Sequence, residues 1–144
     1  MEVVANTIRC DIVSAQEQIF SGEVAHVVVA GSSGEMGIYP QHTPLMSTLK
    51  PGTIRVVFPD GTESTFFIGG GIVEVMPHLV TVLADTAIRA VDLDEEAAQR
   101  AREGAEKELH TRAAELDIAE AMAKLAKALA QLRALEELRR RLRH

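Results

Sequence analysis

The segment Gly31-Ser32-Ser33-Gly34-Glu35-Met36-Gly37 has the glycine density of a phosphate-binding loop, in which residues lacking a Cβ let backbone N–H groups close on an anion. The residues after it argue against that chemistry. No Lys-Ser or Lys-Thr pair succeeds the glycines, and Ile38-Tyr39-Pro40 does not open the helix whose N-terminus would hold the phosphate. The segment reads instead as a shaped, exposed loop between strands, the kind of feature with which a rigid scaffold binds a partner. His26, His42 and His78 lie on separate elements with no partner at helical spacing and no Cys beside them, so no metal site is expected. No Ser or Cys stands in an elbow or triad context, and no carboxylate pair marks an acid–base site. The lone Cys10, in an alternating pattern, reads as a small buried hydrophobe. The ending Arg-Arg-Arg-Leu-Arg-His carries more cations than a helix C-terminus needs for its dipole, which points to an acidic partner surface.

Two kinds of element must position these residues. From Ile8 to Leu83 apolar residues recur at every second position, as Ile8, Cys10 and Ile12 do against Arg9 and Asp11. Further strands are expected to end at Ile19-Phe20-Ser21-Gly22 and to span Val24 to Ala30. Ile54 to Phe58 and Thr62 to Ile68 form a hairpin about Pro59-Asp60-Gly61, and Ile72 to Met76 and Val80 to Leu83 form another about Pro77-His78. Gly69-Gly70-Gly71 implies a bulge or a close backbone approach. Short strands broken this often predict an antiparallel sandwich or barrel.

The pattern changes across Leu83 to Asp94, where a polar link leads to a helix, with Asp92 as its cap and Glu95 reaching back. Ala97, Ala98, Ala101, Ala105, Leu109 and Ala113 form the stripe of the first helix. A second capping box at Asp117 to Glu120 opens a helix with a stripe of Ile118, Met122, Leu125, Leu129, Leu132, Leu135, Leu138 and Leu142, close to a 3.5-residue repeat. Alanines facing leucines predict an antiparallel hairpin that is marginally stable by itself, because each alanine buries little area. The sequence divides into a sandwich at 1–87 and a helical hairpin at 88–144.

The 144 residues suffice for one core plus an appendage, and 47% hydrophobic content with no Trp puts Val, Ile, Leu and Ala in that core. No apolar run approaches a membrane span, and Met1 to Cys10 lack a signal-peptide pattern, so a soluble cytosolic chain is expected. A net charge of −6 argues against nucleic-acid binding. The charge is uneven, being −5 over residues 1–91, −6 over 92–123 and +5 over 124–144.

Several ordered motifs resemble the epsilon subunits of bacterial F-type ATP synthases: Asp11 to Ala15, Phe20-Ser21-Gly22, Gly34 to Pro40 with His42 and Pro44-Leu45, Lys50-Pro51-Gly52, Gly70 to Val75, Val80 to Ala90, and Leu125 to Leu132. The resemblance implies a ten-stranded N-terminal β-sandwich followed by the two-helix hairpin, in a non-catalytic subunit of the rotating central stalk. It implies that the sandwich grips the gamma subunit and rests on the c-ring, coupling them for proton-driven ATP synthesis, with Ser33, Glu35, Met36, Ile38, Tyr39 and His42 on the loop that faces the ring. The hairpin is then an inhibitor of ATP hydrolysis that extends toward the alpha and beta catalytic subunits, with Arg133, Arg139, Arg140, Arg141 and Arg143 as its inhibitory tail. The resemblance also implies a peripheral position on the cytoplasmic face of the plasma membrane, through the complex. Some family members bind ATP through a motif of Ile or Leu, Asp, two variable residues, Arg and Ala. Leu93, Asp94, Ala97 and Ala98 match it except that Ala97 replaces the Arg, so no cofactor is expected and ATP binding is expected to be weak or absent. The alternatives are a stand-alone ATP-sensing module and a generic sandwich adaptor.

Overall fold

A computed structural model of the chain describes residues 6–31, 34–111 and 115–142. Ser32, Ser33, Ala113 and Arg143 lie outside the described residues. Ten strands come first: β1 (Ile8–Ser14), β2 (Gln18–Val24), β3 (His26–Gly31), β4 (Gly34–Ile38), β5 (Leu45–Leu49), β6 (Gly52–Val57), β7 (Glu63–Ile68), β8 (Gly71–Met76), β9 (Leu79–Ala84) and β10 (Ala87–Arg89). A 3-10 turn at Ala90–Asp92 then leads to α1 (Glu95–Thr111) and α2 (Glu115–Leu142). The chain falls into two compact units, Met1–Arg89 and Ala90–His144.

The first unit is a sandwich of two five-stranded sheets, ordered β2-β1-β9-β8-β5 and β10-β7-β6-β3-β4. Among the described residues the strand pairings are antiparallel except β1 with β9, which run parallel with Cys10 opposite Val80 and Ile12 opposite Val82. The alternation in β1 does what it predicts: Ile8, Cys10 and Ile12 are fully buried, together with Val80, Val82 and Phe66 of the shared core. The predicted strand from Val24 to Ala30 is divided, with Val24 ending β2 and His26 opening β3.

The chain crosses between the sheets five times, at Ala25, between Ile38 and Leu45, at Lys50-Pro51, at Gly69-Gly70 and at Asp85-Thr86. The last two crossings are bonded to each other, Gly69 N–H donating to Thr86 O and Asp85 N–H to Gly70 O, both at 2.8 Å. Here the glycines are required. Gly71 has φ +150°, and a Cβ on it would lie 2.1 Å from Leu83 O, so only glycine admits the neighbouring strand. The hairpin turn at Pro59 to Gly61 is likewise as expected, with Asp60 Oδ1 accepting from Thr62 N at 2.9 Å and from Thr62 Oγ1 at 2.6 Å and Gly61 at φ 90°. These bonds to Thr62 hold the Asp60 carboxyl below its ordinary value.

The helical unit departs from expectation at both N-termini. Asp94, not Asp92, caps α1, its Oδ1 accepting from Ala97 N at 3.1 Å, while Asp92 closes the preceding 3-10 turn. Glu95 is the first residue of α1, and its carboxylate accepts from Arg139 instead of reaching back. α2 already begins at Glu115, which places Asp117 inside the helix and not at its cap. The leucine stripe is also displaced. The buried positions described on α2 are Ala121, Ala128 and Leu135, seven residues apart, with Ala130 and Ala134, whereas Leu125, Leu129, Leu132 and Leu138 are only half-buried and Met122 and Leu142 are exposed. On α1 the buried pair is Ala98 and Ala105, again seven residues apart.

Candidate functional site

Three features of the described residues have the exposure and chemistry to meet a partner. The first is the segment from β4 to β5. Its glycine-rich start is a strand, not a loop: β4 pairs with β3, with Val29 opposite Met36 and Val27 opposite Ile38. Of the residues expected to face outward, Ile38 is fully buried and supports the segment from inside, and Met36 is partly buried against the core. Glu35 is exposed and lies 3.8 Å from the Arg55 guanidinium, which also pairs with Glu63 at 2.9 Å. Tyr39 stacks on His26 with ring centroids 4.5 Å apart and remains 56% exposed. Gly37 makes that possible, since a Cβ there would stand 3.1 Å from the Tyr39 ring. His42 is half-buried and its Nδ1 lies 2.7 Å from Thr43 O. Between them Gln41, at φ 69°, donates its N–H to Pro77 O and ties the segment to the β8–β9 turn.

The second feature goes beyond the motifs. The outward faces of β5, β8 and β9 expose Met46, Ile72, Met76 and Leu83, with Ile72 directly opposite Leu83 in the ladder. The signal in the sequence is that β8 and β9 carry apolar residues on both faces, Ile72 and Met76 against Val73 and Val75, where a solvated sheet would alternate.

The third is the helical hairpin. A cleft of about 460 Å³ runs between α1 and α2, floored by Ala97, Ala101, Gly104, Ala105 and Ala128 and edged by polar groups. One of these, Lys124, is drawn to Glu108 at 3.4 Å. Ala97 and Ala98 thus separate, Ala97 to the cleft and Ala98 into the interface, while Asp94 is committed to its cap and Leu93 N–H donates to Ala90 O. Of the tail arginines, Arg139 pairs with Glu95, Arg141 lies 3.9 Å from Glu137, and Arg133 and Arg140 are exposed. Among the described residues no group of three His, Cys, Asp or Glu side chains could hold a metal ion. Among them, too, no helix is long and apolar enough to cross a membrane. Burial raises the Cys10 thiol to about 12, the neighbouring Asp11 charge adding to the effect, so it is not an activated nucleophile.

A sandwich with an exposed apolar face and a shaped edge, joined to an alanine-lined helical hairpin, offers surfaces for docking a partner. Comparison with known proteins gives the family. The beta-sandwich domain of the ATP synthase delta/epsilon chain matches residues 7–90, and the long alpha-helix domain of the same chain matches residues 92–136. The chain is 54% identical over 139 residues to the ATP synthase epsilon chain of Stenotrophomonas maltophilia (strain K279a), covering 96% of this chain and 99% of that one. It is 50% identical to the ATP synthase epsilon chain of Nitrosococcus oceani with the same coverage. In fold it resembles a chain of the Euglena gracilis mitochondrial ATP synthase OSCP/F1/c-ring structure, with a TM-score of 0.81 and 23% identity over 94% of this chain and 84% of that one. The protein belongs to the ATP synthase delta/epsilon chain family.

Proposed function

We propose that this chain is a non-catalytic stalk subunit of the ATP synthase, whose sandwich joins the gamma subunit to the c-ring during proton-driven ATP synthesis and whose hairpin restrains ATP hydrolysis at the alpha and beta subunits. The observation that carries this division of labour is the break into two compact units at Arg89 and Ala90, each with its own buried residues. In this reading the exposed Met46, Ile72, Met76 and Leu83 supply apolar area for gamma, and Glu35, Tyr39 and His42 meet the ring with Ser33. The complex then holds the chain peripherally on the cytoplasmic face of the membrane. The tail acts through charge: exposed Arg–carboxylate pairs are individually weak and are screened over about 10 Å at 0.1 M salt, so several must act together.

The test is reconstitution with the catalytic subunits and gamma, followed by an ATPase assay. Replacing Arg139, Arg140, Arg141 and Arg143 by Ala is expected to weaken inhibition and remove most of its salt dependence while leaving gamma binding unchanged. Equal inhibition by the variant across salt would assign restraint to the apolar residues of α2 instead.

The hairpin cleft is not expected to serve as a strong ATP site. Ala97 stands where the cation would be, Lys124 is paired with Glu108, and Glu95 and Glu96 add negative charge nearby. A charge-assisted phosphate contact is worth about 1.5–3 kcal/mol, roughly ten- to a hundredfold in affinity. Calorimetric titration of the isolated chain should therefore show no submillimolar ATP binding, and Ala97→Arg should strengthen whatever binding exists.

A further inference from the structure

The hairpin carries an ion pair between its two helices near each end. Arg139 of α2 donates to the carboxylate of Glu95, the first residue of α1, across the open end of the hairpin. Nearer the connection between the helices, Lys124 Nζ donates to Glu108 at 3.4 Å. All four side chains are about half exposed. Between the two pairs the buried side chains are Ala98 and Ala105 of α1 and Ala128, Ala130, Ala134 and Leu135 of α2, with the cleft of about 460 Å³ left unfilled beside Ala105 and Ala128. Leu135 apart, these are alanines, which stabilise little by burial, so the ion pairs hold a larger share of the balance than exposed pairs usually do.

The placement of the outer pair is specific. Glu95 sits in the first turn of α1, where the helix dipole favours an anion, and Arg139 in the last turns of α2, where it favours a cation. Hydrogen bonding to the partner shifts both groups toward their charged forms, Glu95 downward and Arg139 upward.

We propose that Glu95–Arg139 is a latch. It keeps the hairpin closed and occupies one of the terminal arginines, so that an acidic protein surface engages Arg139 only by displacing Glu95. Opening the hairpin and arming its tail are then one event. The latch stands on the hairpin alone; its link to inhibition rests on the proposed restraint of ATP hydrolysis by the tail.

The experiment uses the full-length chain with nitroxide labels at Gln99 and Ala126, both exposed, and double electron–electron resonance to read the separation of α1 from α2. Cys10 is buried with its thiol raised to about 12 and does not compete for label. The parent, Glu95→Gln, Arg139→Gln and the double variant are compared at low and at about 0.3 M salt, where screening falls to roughly 5 Å. Each single variant is expected to raise the open fraction about two- to fivefold at low salt, and the double variant no further than either single one. The parent should approach the variants at high salt. Additive effects, or no change in any distance distribution, would overturn the latch. The same variants are then assayed for inhibition of ATP hydrolysis. Glu95→Gln, which frees Arg139, should inhibit about two- to fivefold more strongly than the parent. If it opens the hairpin and inhibition stays the same, the latch stands and the inhibitory reading of the tail falls.

Discussion

At the scale of single residues, Cys10 shows how much a pattern alone can establish and how the environment then sets the chemistry. Its place in the Ile8, Cys10, Ile12 alternation is enough to predict burial, and the thiol is fully buried opposite Val80. The same burial raises its pKa from 9.0 to about 12, which has a thermodynamic consequence. Because the folded value lies above the unfolded one, the stability it contributes is complete below pH 9 and is lost as pH rises toward 12, by up to about 1.4 kcal/mol per pH unit. Denaturant titrations above pH 9 should show a steeper loss for the parent than for Cys10→Ala, in which only the remaining groups titrate; parallel curves would mean the thiol is not the source. Other residues are less legible in the sequence. Tyr39 is readable as part of an exposed segment, but not its stack on His26, which needs two strands brought side by side. Ile38 is expected to face outward and is buried, because the glycines before it form a strand whose alternate side chains turn inward.

At the scale of elements, the long alternating strands and the Pro59 to Gly61 turn are legible because local chemistry decides them. The short strands are not. β4 is Gly-rich, β5 exposes four of its five residues, and β10 has three residues; each is a strand because a neighbour supplies its ladder. The caps shift for a similar reason: Asp92 and Asp94 are equally good capping residues, and the 3-10 turn at Ala90–Asp92 decides between them. β10 carries the first compact unit to Arg89, which pairs with Phe66 in the ladder. The Arg89 guanidinium lies 5.2 Å from the Phe66 ring centroid and donates to Ile19 O at 3.2 Å, fastening the last residue of the sandwich to both its sheets. Arg89→Ala should therefore cost the sandwich about 1 kcal/mol and speed amide exchange at Ala87 to Arg89 while leaving α1 and α2 protection unchanged. Protection lost equally in the helices would show that the two units do not unfold separately.

At the scale of the whole molecule, the two units divide at Arg89 and Ala90, whereas the charge changes sign further on, within α2. Residues 1–91 carry −5 and the ten strands, while residues 124–144 carry +5 on the second half of the hairpin. The sandwich core is built from the sandwich's own Val, Ile and Phe side chains, among them Ile8, Ile12, Val56, Phe66, Val73 and Val80. The hairpin has only alanines and Leu135 buried among its described residues, so its share of the apolar stabilisation is small. A chain ending after Val91 keeps every strand, every sheet crossing and the Arg89 clasp. It is expected to unfold in one cooperative transition with nearly the parent's midpoint, to bind gamma as the full chain does, and to leave ATP hydrolysis by the reconstituted complex faster than the full chain allows. Calorimetry checks the first expectation, co-purification the second and a coupled ATPase assay the third. Loss of gamma binding by a fragment that still unfolds cooperatively would place part of the gamma contact on the helices and end the separation of assembly from restraint.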